Sequence, residues 1–242
     1  MKQKFQSKSL LDHFQELRYR LFISVAAFSI AVILIYLFRG PLFHYLSSPL
    51  FENLPEGSRN LYFTNPLEKF MTTIKLCIVG GLLVSSPFLI FQLWRFIAPG
   101  LHHHERQHAI LLTLVAALLF LLGIFFCYFF ILPIGLKFLL GFAAPHEIPI
   151  ITIKEYISLA LKLLLIIGLG FEFPLVIVGL VKFGVVSLET LRKGRRYAIV
   201  AVFIVAAILT PPDVITQTLL ALPMLALYEL TLIGLRLFKI DH

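Results

Sequence analysis

The sequence predicts an all-α, polytopic membrane protein with six transmembrane helices, and three observations lead to this prediction. Of the 242 residues, 59% are hydrophobic and 14% are charged, and the mean hydropathy is +0.93. Such a composition lies outside the range of soluble globular domains. The apolar residues form long runs, several of which approach the roughly 20 residues that cross a bilayer as a helix. We therefore expect residues 1–242 to form a single transmembrane domain.

The amino-terminal segment, residues 1–20, is predicted to be a cytoplasmic amphipathic helix. It carries five basic residues, and its apolar residues recur at helical spacing. The apolar run that follows, about residues 21–38, is the first predicted span. No small-residue cleavage site ends this run, so we interpret it as an uncleaved span rather than a secretory signal.

The middle of the chain alternates predicted spans with loops. Residues 39–75 contain four prolines and seven charged side chains, which exclude a span and predict an external cap of short helices and turns. Spans 2, 3 and 4 are predicted at about residues 76–94, 109–132 and 156–181. A bend is expected in span 2 near Pro87, where freed backbone groups would need hydrogen-bond partners.

The last two predicted spans differ in length. Span 5 covers residues 197–210, whose 14 residues extend only about 21 Å as a helix. Span 6 covers residues 214–235 and begins after the turn Pro211-Pro212-Asp213. The fifth helix is thus expected to be too short for a hydrocarbon core of roughly 30 Å.

The distribution of basic residues predicts the orientation. Of the 21 Lys and Arg residues, 14 lie on the face that holds both termini and the polar hinge at residues 99–108. By the positive-inside rule this face is cytoplasmic. The same excess accounts for the formal net charge of +8, so no nucleic-acid partner is expected.

The hinge contains a pattern that invites a metal-site hypothesis. His104, Glu105 and His108 match H-E-x-x-H, in which two histidines of one helix bind zinc and the glutamate is the general base. Only three positions of this pattern are fixed, and the surrounding tract is rich in histidine. An intramembrane zinc protease therefore stays open as a third hypothesis, while the prediction is no metal and no enzymatic activity.

Two acids admit functional interpretations beside structural ones. Glu105 lies where span 3 begins, and an acid there is stabilised by the helix dipole; it is also free to pair bidentately with a guest arginine. Glu172 lies at span depth, where a carboxylate costs about 2.5–3.5 kcal/mol. Its alternatives are a hydrogen bond inside the bundle, a polar contact for a substrate, or a proton relay in a proton-coupled small-solute transporter.

Six sequence blocks together resemble the TatC family, the multispanning receptor subunit of the twin-arginine protein translocase. The resemblance extends from Leu10 to about Phe238. The blocks are HFQELRYRL at 13–21, SSPL at 47–50, QLWRFIAPGLHHHER at 92–106, FEFP at 171–174, LRKGRRY at 191–197 and LTPPDVITQTLLALPM at 209–224.

The resemblance implies a concave, glove-like arrangement of six helices, with helices 5 and 6 short, and assigns the site residues. Glu105 would receive the arginine pair of a signal peptide, assisted by Glu16. Phe96 and Arg18 would belong to the same recognition surface, and Glu172 would face the groove within the membrane. Single-span partners of the TatA and TatB type would dock on spans 5 and 6, at Thr210 and Gln217.

The resemblance also implies the function. The chain would bind twin-arginine signal peptides and form the core of a translocase that exports folded proteins with the proton motive force, without cofactors. It would lie in the cytoplasmic (inner) membrane as a multi-pass protein with both termini cytoplasmic, in contact with lipid and in a larger complex with other copies. The hinge has more histidines than family members commonly have, so a pH or metal sensitivity stays open.

Overall fold

The computed structural model of the protein describes residues 10–54, 60–97, 108–141, 149–182, 184–209 and 214–237. Within these ranges the chain is helical, and the one β-bridge joins Tyr62 to Thr152. The all-α prediction is therefore confirmed. The helices are α1 Leu10–Leu37, α2 Arg39–Asn53, α3 Pro66–Ile97, α4 His108–Phe126, α5 Leu132–Leu140, α6 Ile153–Phe171, α7 Phe173–Lys182, α8 Leu188–Lys193, α9 Arg195–Leu209 and α10 Val214–Leu237.

Several helices extend beyond the spans that the sequence predicts. Helix α1 passes through Leu21 without a break, so the described part of the amphipathic segment is continuous with span 1. Helix α3 begins at Pro66, ten residues before the predicted start of span 2. Helices α4 and α5 are joined by a π-helical turn, Cys127–Ile131, so that helical structure continues through Pro133.

Among the residues that the structure describes, five segments are long and apolar enough to cross a membrane, which agrees with a polytopic protein. They are Phe14–Leu37, Pro66–Leu93, Thr113–Leu140, Ile153–Lys182 and Val214–Leu237. The fifth predicted span corresponds to α9, whose 15 residues are short, as expected. Helix α10 has 24 residues, so the expectation of a short sixth helix does not hold. Glu229 on this helix forms an ion pair with Arg195 at 2.8 Å.

Prolines do not break these helices where hydroxyl groups satisfy the freed carbonyls. Pro87 cannot donate to the carbonyl of Leu83, which instead accepts from Oγ of Ser86 at 2.7 Å. Pro49 likewise frees the carbonyl of Tyr45, which accepts from the hydroxyl of Tyr128 at 2.7 Å and from Ser48 Oγ at 3.1 Å. Helix α2 therefore continues through Pro49, although with 15 residues it is still a short helix.

The chain divides into two compact units, Met1–Phe38 with Cys77–Ala117, and Arg39–Leu76 with Leu118–His242. In the first unit, α1 and α3 approach closely at Gly81. A Cβ atom on Gly81 would lie 2.6 Å from Cγ2 and 2.9 Å from the backbone nitrogen of Val32. Only glycine permits this approach, and small residues at helix contacts have this use in membranes.

The second unit also contains a close glycine contact. A Cβ on Gly123 of α4 would lie 3.0 Å from the Cα atom of Gly168 in α6. In the same unit, the backbone of Tyr62 forms hydrogen bonds with Ile151 and Ile153, on both sides of Thr152. The Glu68 side chain accepts from the backbone nitrogen of Lys154 at 3.3 Å. These contacts attach the segment before α3 to the start of α6.

Helices α7, α8 and α10 of the second unit share a buried apolar cluster. Its members are Ile177, Val181, Leu188, Tyr228, Leu232 and Leu235. The hydroxyl of Tyr228 donates to the carbonyl of Leu191 at 2.8 Å, which satisfies the polar tip of this buried ring. At the carboxyl-terminal end of α9, Lys162 Nζ donates to the carbonyl of Ile208 at 3.3 Å, where a cation is favoured by the helix dipole.

Candidate functional site

The first unit carries an ion pair on α1 between Glu16 and Arg20. Their spacing of four residues places both side chains on one face of the helix, with the acid amino-terminal, the favourable order. Both Nε and Nη2 of Arg20 donate to Oε1 of Glu16, the former at 3.2 Å. Only 18% of the Glu16 side chain and 14% of the Arg20 side chain are exposed. This is a largely buried pair, in which each charge depends on the other.

The pair is connected to α3 through Gln92. Nη1 of Arg20 donates to Oε1 of Gln92 at 3.5 Å, and the Gln92 side chain is buried. Arg20 therefore uses its guanidinium plane to join an acid on its own helix to an amide on the neighbouring helix. Phe96 follows Gln92 by four residues, so it lies one helical turn away on the same side of α3. We call Glu16, Arg20, Gln92 and Phe96 the α1–α3 site.

Two other predicted features of this region are placed differently. Arg18 is exposed, and since it lies two residues from Glu16 it does not share a helix face with that acid. The structure thus does not bring Arg18 to the buried pair. Arg95 lies 5.4 Å from the centre of the Phe91 ring, a cation–π contact that holds this guanidinium at the end of α3.

Glu105 and His104 lie outside the described residues, and His108 is the first residue of α4. The hypotheses of a guest arginine on Glu105 and of zinc on H-E-x-x-H therefore stay predictions. Within the described ranges, three or more His, Cys, Asp or Glu side chains do not gather into a group suited to a metal ion.

Glu172 lies at the break between α6 and α7 in the second unit. Its carbonyl accepts from the backbone of Leu175 at 3.0 Å and of Val176 at 3.1 Å, so it begins α7 just as α6 ends. Pro174, which cannot donate, follows this break. Oε1 of Glu172 is buried and has no hydrogen-bond partner among the residues that the structure describes. A buried carboxyl oxygen without a protein partner is suited to accept from a guest donor or water.

Gln217, predicted to dock partner helices, holds α10 against α9 instead of pointing its amide nitrogen outward. Nε2 donates to the carbonyl of Phe203 at 2.9 Å. Thr210 lies outside the described residues. The exposed surface near Gln217 is apolar, with Ile204, Ile208 and Ile215 each largely exposed.

Sequence reasoning missed the roles of Arg20, Gln92 and Lys162. The four-residue spacing of Glu16 and Arg20 was a usable signal, because such pairs interact on helices. A buried glutamine within an apolar run also signals a polar contact, but it does not identify the partner. The contact of Lys162 with α9 depends on tertiary packing and has no signal in the sequence.

The helices and their polar groups define a multispanning α-helical membrane protein with a buried acid–arginine pair near one helix end. The chain matches the family described as Sec-independent protein translocase protein (TatC) over residues 12–223. It is 39% identical to TatC of Escherichia coli (strain K12) over 93% of this chain and 86% of that relative. It is 41% identical to TatC of Aquifex aeolicus (strain VF5) over 92% of both chains.

Solved structures agree with these relatives. The crystal structure of the twin-arginine translocase receptor TatC in DDM matches with a TM-score of 0.82 at 40% identity, over 91% of this chain and 98% of that chain. This chain belongs to the TatC family. The predicted family is thereby confirmed, and the similarities support a translocase subunit rather than a small-solute transporter.

Proposed function

We propose that this chain is the signal-peptide receptor and core subunit of a twin-arginine translocase that exports folded proteins with the proton motive force. One observation carries the proposal beyond family membership: the carboxylate of Glu16 already binds a guanidinium in a largely buried site. A site that accepts the arginine of its own chain has the geometry to accept an arginine from a signal peptide. The proposed function is non-enzymatic and needs no cofactor.

The recognition surface in this proposal combines Glu105, Glu16, Phe96 and Arg18. Glu105 supplies the second carboxylate, so that each guest arginine has its own acid. The partly buried ring of Phe96 supplies apolar contact beside the charges. Arg18, exposed on another face of α1, would contact polar or acidic parts of the peptide rather than its arginines.

The proposed location is the cytoplasmic membrane, with both termini and the α1–α3 site on the cytoplasmic side. Support comes from the charge distribution, since two thirds of the basic residues lie on that side in the predicted topology. Signal peptides of cytoplasmically folded cargo reach the site from this side. Glu172 would offer a polar contact at the depth that the apolar part of the peptide enters.

The proposed partners are single-span subunits of the TatA and TatB type, which would dock near Thr210 and Gln217 within a complex of several copies. What supports this surface is the exposed apolar face of α9 and α10, which a partner helix or lipid must cover. Gln217 would contribute by fixing α10 on α9 through Phe203, and so by shaping the surface rather than by bonding the partner with its amide nitrogen.

Peptide binding by a Glu105→Lys variant tests the proposed function. We expect the purified wild-type protein to bind a labelled twin-arginine peptide in preference to its twin-lysine counterpart. The variant should lose this binding by at least about 100-fold, because like charges then meet at the site. Photo-crosslinking from positions 96–106 should capture the same peptide. Glu189→Lys, which reverses an exposed acid, is the matched control and should bind normally. Binding by Glu105→Lys at wild-type strength would contradict the assignment.

A further inference from the structure

The α1–α3 site contains its own arginine, and this has a consequence for selectivity. Arg20 occupies the carboxylate of Glu16 through two donors and reaches Gln92 with a third nitrogen. We propose that Arg20 is an internal competitor of the signal peptide, which a guest arginine must displace from Glu16. This inference rests on the proposed function, since it concerns regulation of the same site.

Burial makes the competition necessary. The Glu16 and Arg20 side chains are both more than four-fifths buried, so water screens the attraction between their charges weakly. A guest guanidinium binds Glu16 fully only in the fraction of molecules in which Arg20 has moved away. The observed affinity is the intrinsic affinity reduced by that fraction.

Gln92 gives Arg20 a hydrogen-bond acceptor that remains available when the guanidinium leaves Glu16. Its Oε1 accepts from Nη1, the nitrogen that does not bond Glu16. The distance of 3.5 Å is at the long end for a hydrogen bond, so this contact orients Arg20 without holding it firmly. The displaced guanidinium is therefore not left without an acceptor, which lowers the cost of the exchange.

The same exchange discriminates arginine from lysine. A guest arginine replaces one two-donor contact with another, whereas a guest lysine replaces it with a single compact ammonium. A lysine can pair with an empty carboxylate, but it displaces an arginine poorly. Arg20 thus favours a guest arginine over a guest lysine. This preference is its proposed role as a specificity-determining residue.

The Arg20→Gln variant distinguishes competition from a merely structural role, because the two roles predict opposite changes in peptide affinity. We expect the full-length Arg20→Gln protein in detergent to bind the twin-arginine peptide about 10-fold more tightly than wild type. The twin-lysine peptide should gain still more, so that the ratio of the two dissociation constants falls. If Arg20 only positions Glu16, both peptides bind more weakly. Weaker or unchanged binding of the twin-arginine peptide overturns the proposal.

Three further variants make the result specific. Lys193→Gln removes the same charge from a pair of the same spacing, Glu189–Lys193, and should leave both dissociation constants within about twofold of wild type. In a Glu16→Gln background, adding Arg20→Gln should no longer tighten binding, since there is no carboxylate to release. If Arg20→Gln fails to fold, Arg20→Lys supplies the test: it keeps the charge with weaker geometry, and it should tighten twin-arginine binding by about 3-fold.

Failure of this inference is distinguishable from failure of the proposed function. A wild-type protein that does not discriminate between the two peptides contradicts the receptor function before any substitution is made. A wild-type protein that discriminates, together with an Arg20→Gln variant whose discrimination is the same or greater, preserves the receptor function and contradicts only the competition.

Discussion

Two ion pairs in this protein have the same spacing along a helix and opposite surroundings. Glu16 and Arg20 on α1 are largely buried, whereas Glu189 and Lys193 on α8 are 76% and 77% exposed. Both acids precede their partners by four residues, the favourable order. The difference is tertiary: α3 covers the first pair and supplies Gln92 to it. The same spacing thus gives a largely buried ion pair in one place and a solvated helix face in the other.

Glu172 adds a third environment for an acid. It is partly buried like Glu16, but its Oε1 has no hydrogen-bond partner in the described part of the chain. A carboxylate that already accepts from a guanidinium suits a cationic guest. An unpaired carboxyl at span depth suits a neutral donor or a shared proton. The two acids of the proposed receptor thus have different tasks because their surroundings differ.

Removing the acid of each ion pair in turn should give the largest difference in stability between the two pairs. Glu16→Gln leaves Arg20 charged and largely buried, which we expect to cost about 3 kcal/mol in the free energy of unfolding. Glu189→Gln breaks an exposed pair and should leave the unfolding midpoint unchanged within error. Thermal unfolding of the detergent-solubilised protein, followed by circular dichroism, measures both. Equal effects would show that burial does not distinguish the pairs.

The close approach of α1 and α3 should determine how strongly the Glu16–Arg20 pair is buried. Gly81→Ala places a methyl group against the Val32 backbone, and we expect it to cost about 1–2 kcal/mol. Because the helices then separate, Glu16→Gln should cost less in the Gly81→Ala background than in wild type. Gly135→Ala is the control, since its Cβ would meet open space. Additive effects of the two substitutions would contradict this dependence.

The exposed pair should produce the smallest effect, and only in acid. The hydrogen bond and the charge of Lys193 lower the pKa of the Glu189 carboxyl below its ordinary value of 4.5. The stabilisation is therefore fully present above pH 4.5 and is lost as the pH falls through the lowered pKa. Glu189→Gln should remove this small dependence on acid pH, and the stabilisation that it loses at pH 7 is too small to shift the unfolding midpoint. Nuclear magnetic resonance titration of the carboxyl group would measure the shift, and an ordinary or raised pKa would disagree with it.

Apolar runs were enough to predict the helical class, because a bilayer leaves few alternatives for a long apolar segment. Helix boundaries were less predictable. Proline at 49 and at 87 argued for breaks, yet hydroxyl groups of Tyr128, Ser48 and Ser86 replace the missing bonds. Two of these hydroxyls are local in sequence and could have been anticipated. That of Tyr128 comes from a segment 83 residues away and could not.

The candidate site was predictable to a similar degree. The sequence identified Glu16 through the resemblance, and its spacing to Arg20 was visible. The burial of that pair comes from the packing of α1 beside α3, where Arg20 reaches Gln92. No sequence pattern along α1 distinguishes its buried ion pair from the exposed ion pair on α8. The break between α6 and α7 at Glu172 was not predicted, since the predicted span 4 is continuous over 156–181, but Pro174 was a usable signal for it.

The central claim, that Glu16 is a receptor for arginine, is tested most directly by peptide discrimination. The measurement compares the dissociation constants of a twin-arginine peptide and its twin-lysine counterpart for the wild-type protein and for Glu16→Gln. We predict at least about 10-fold discrimination by the wild type, which Glu16→Gln abolishes because the bidentate acceptor is gone. Discrimination that persists unchanged in Glu16→Gln would contradict the claim.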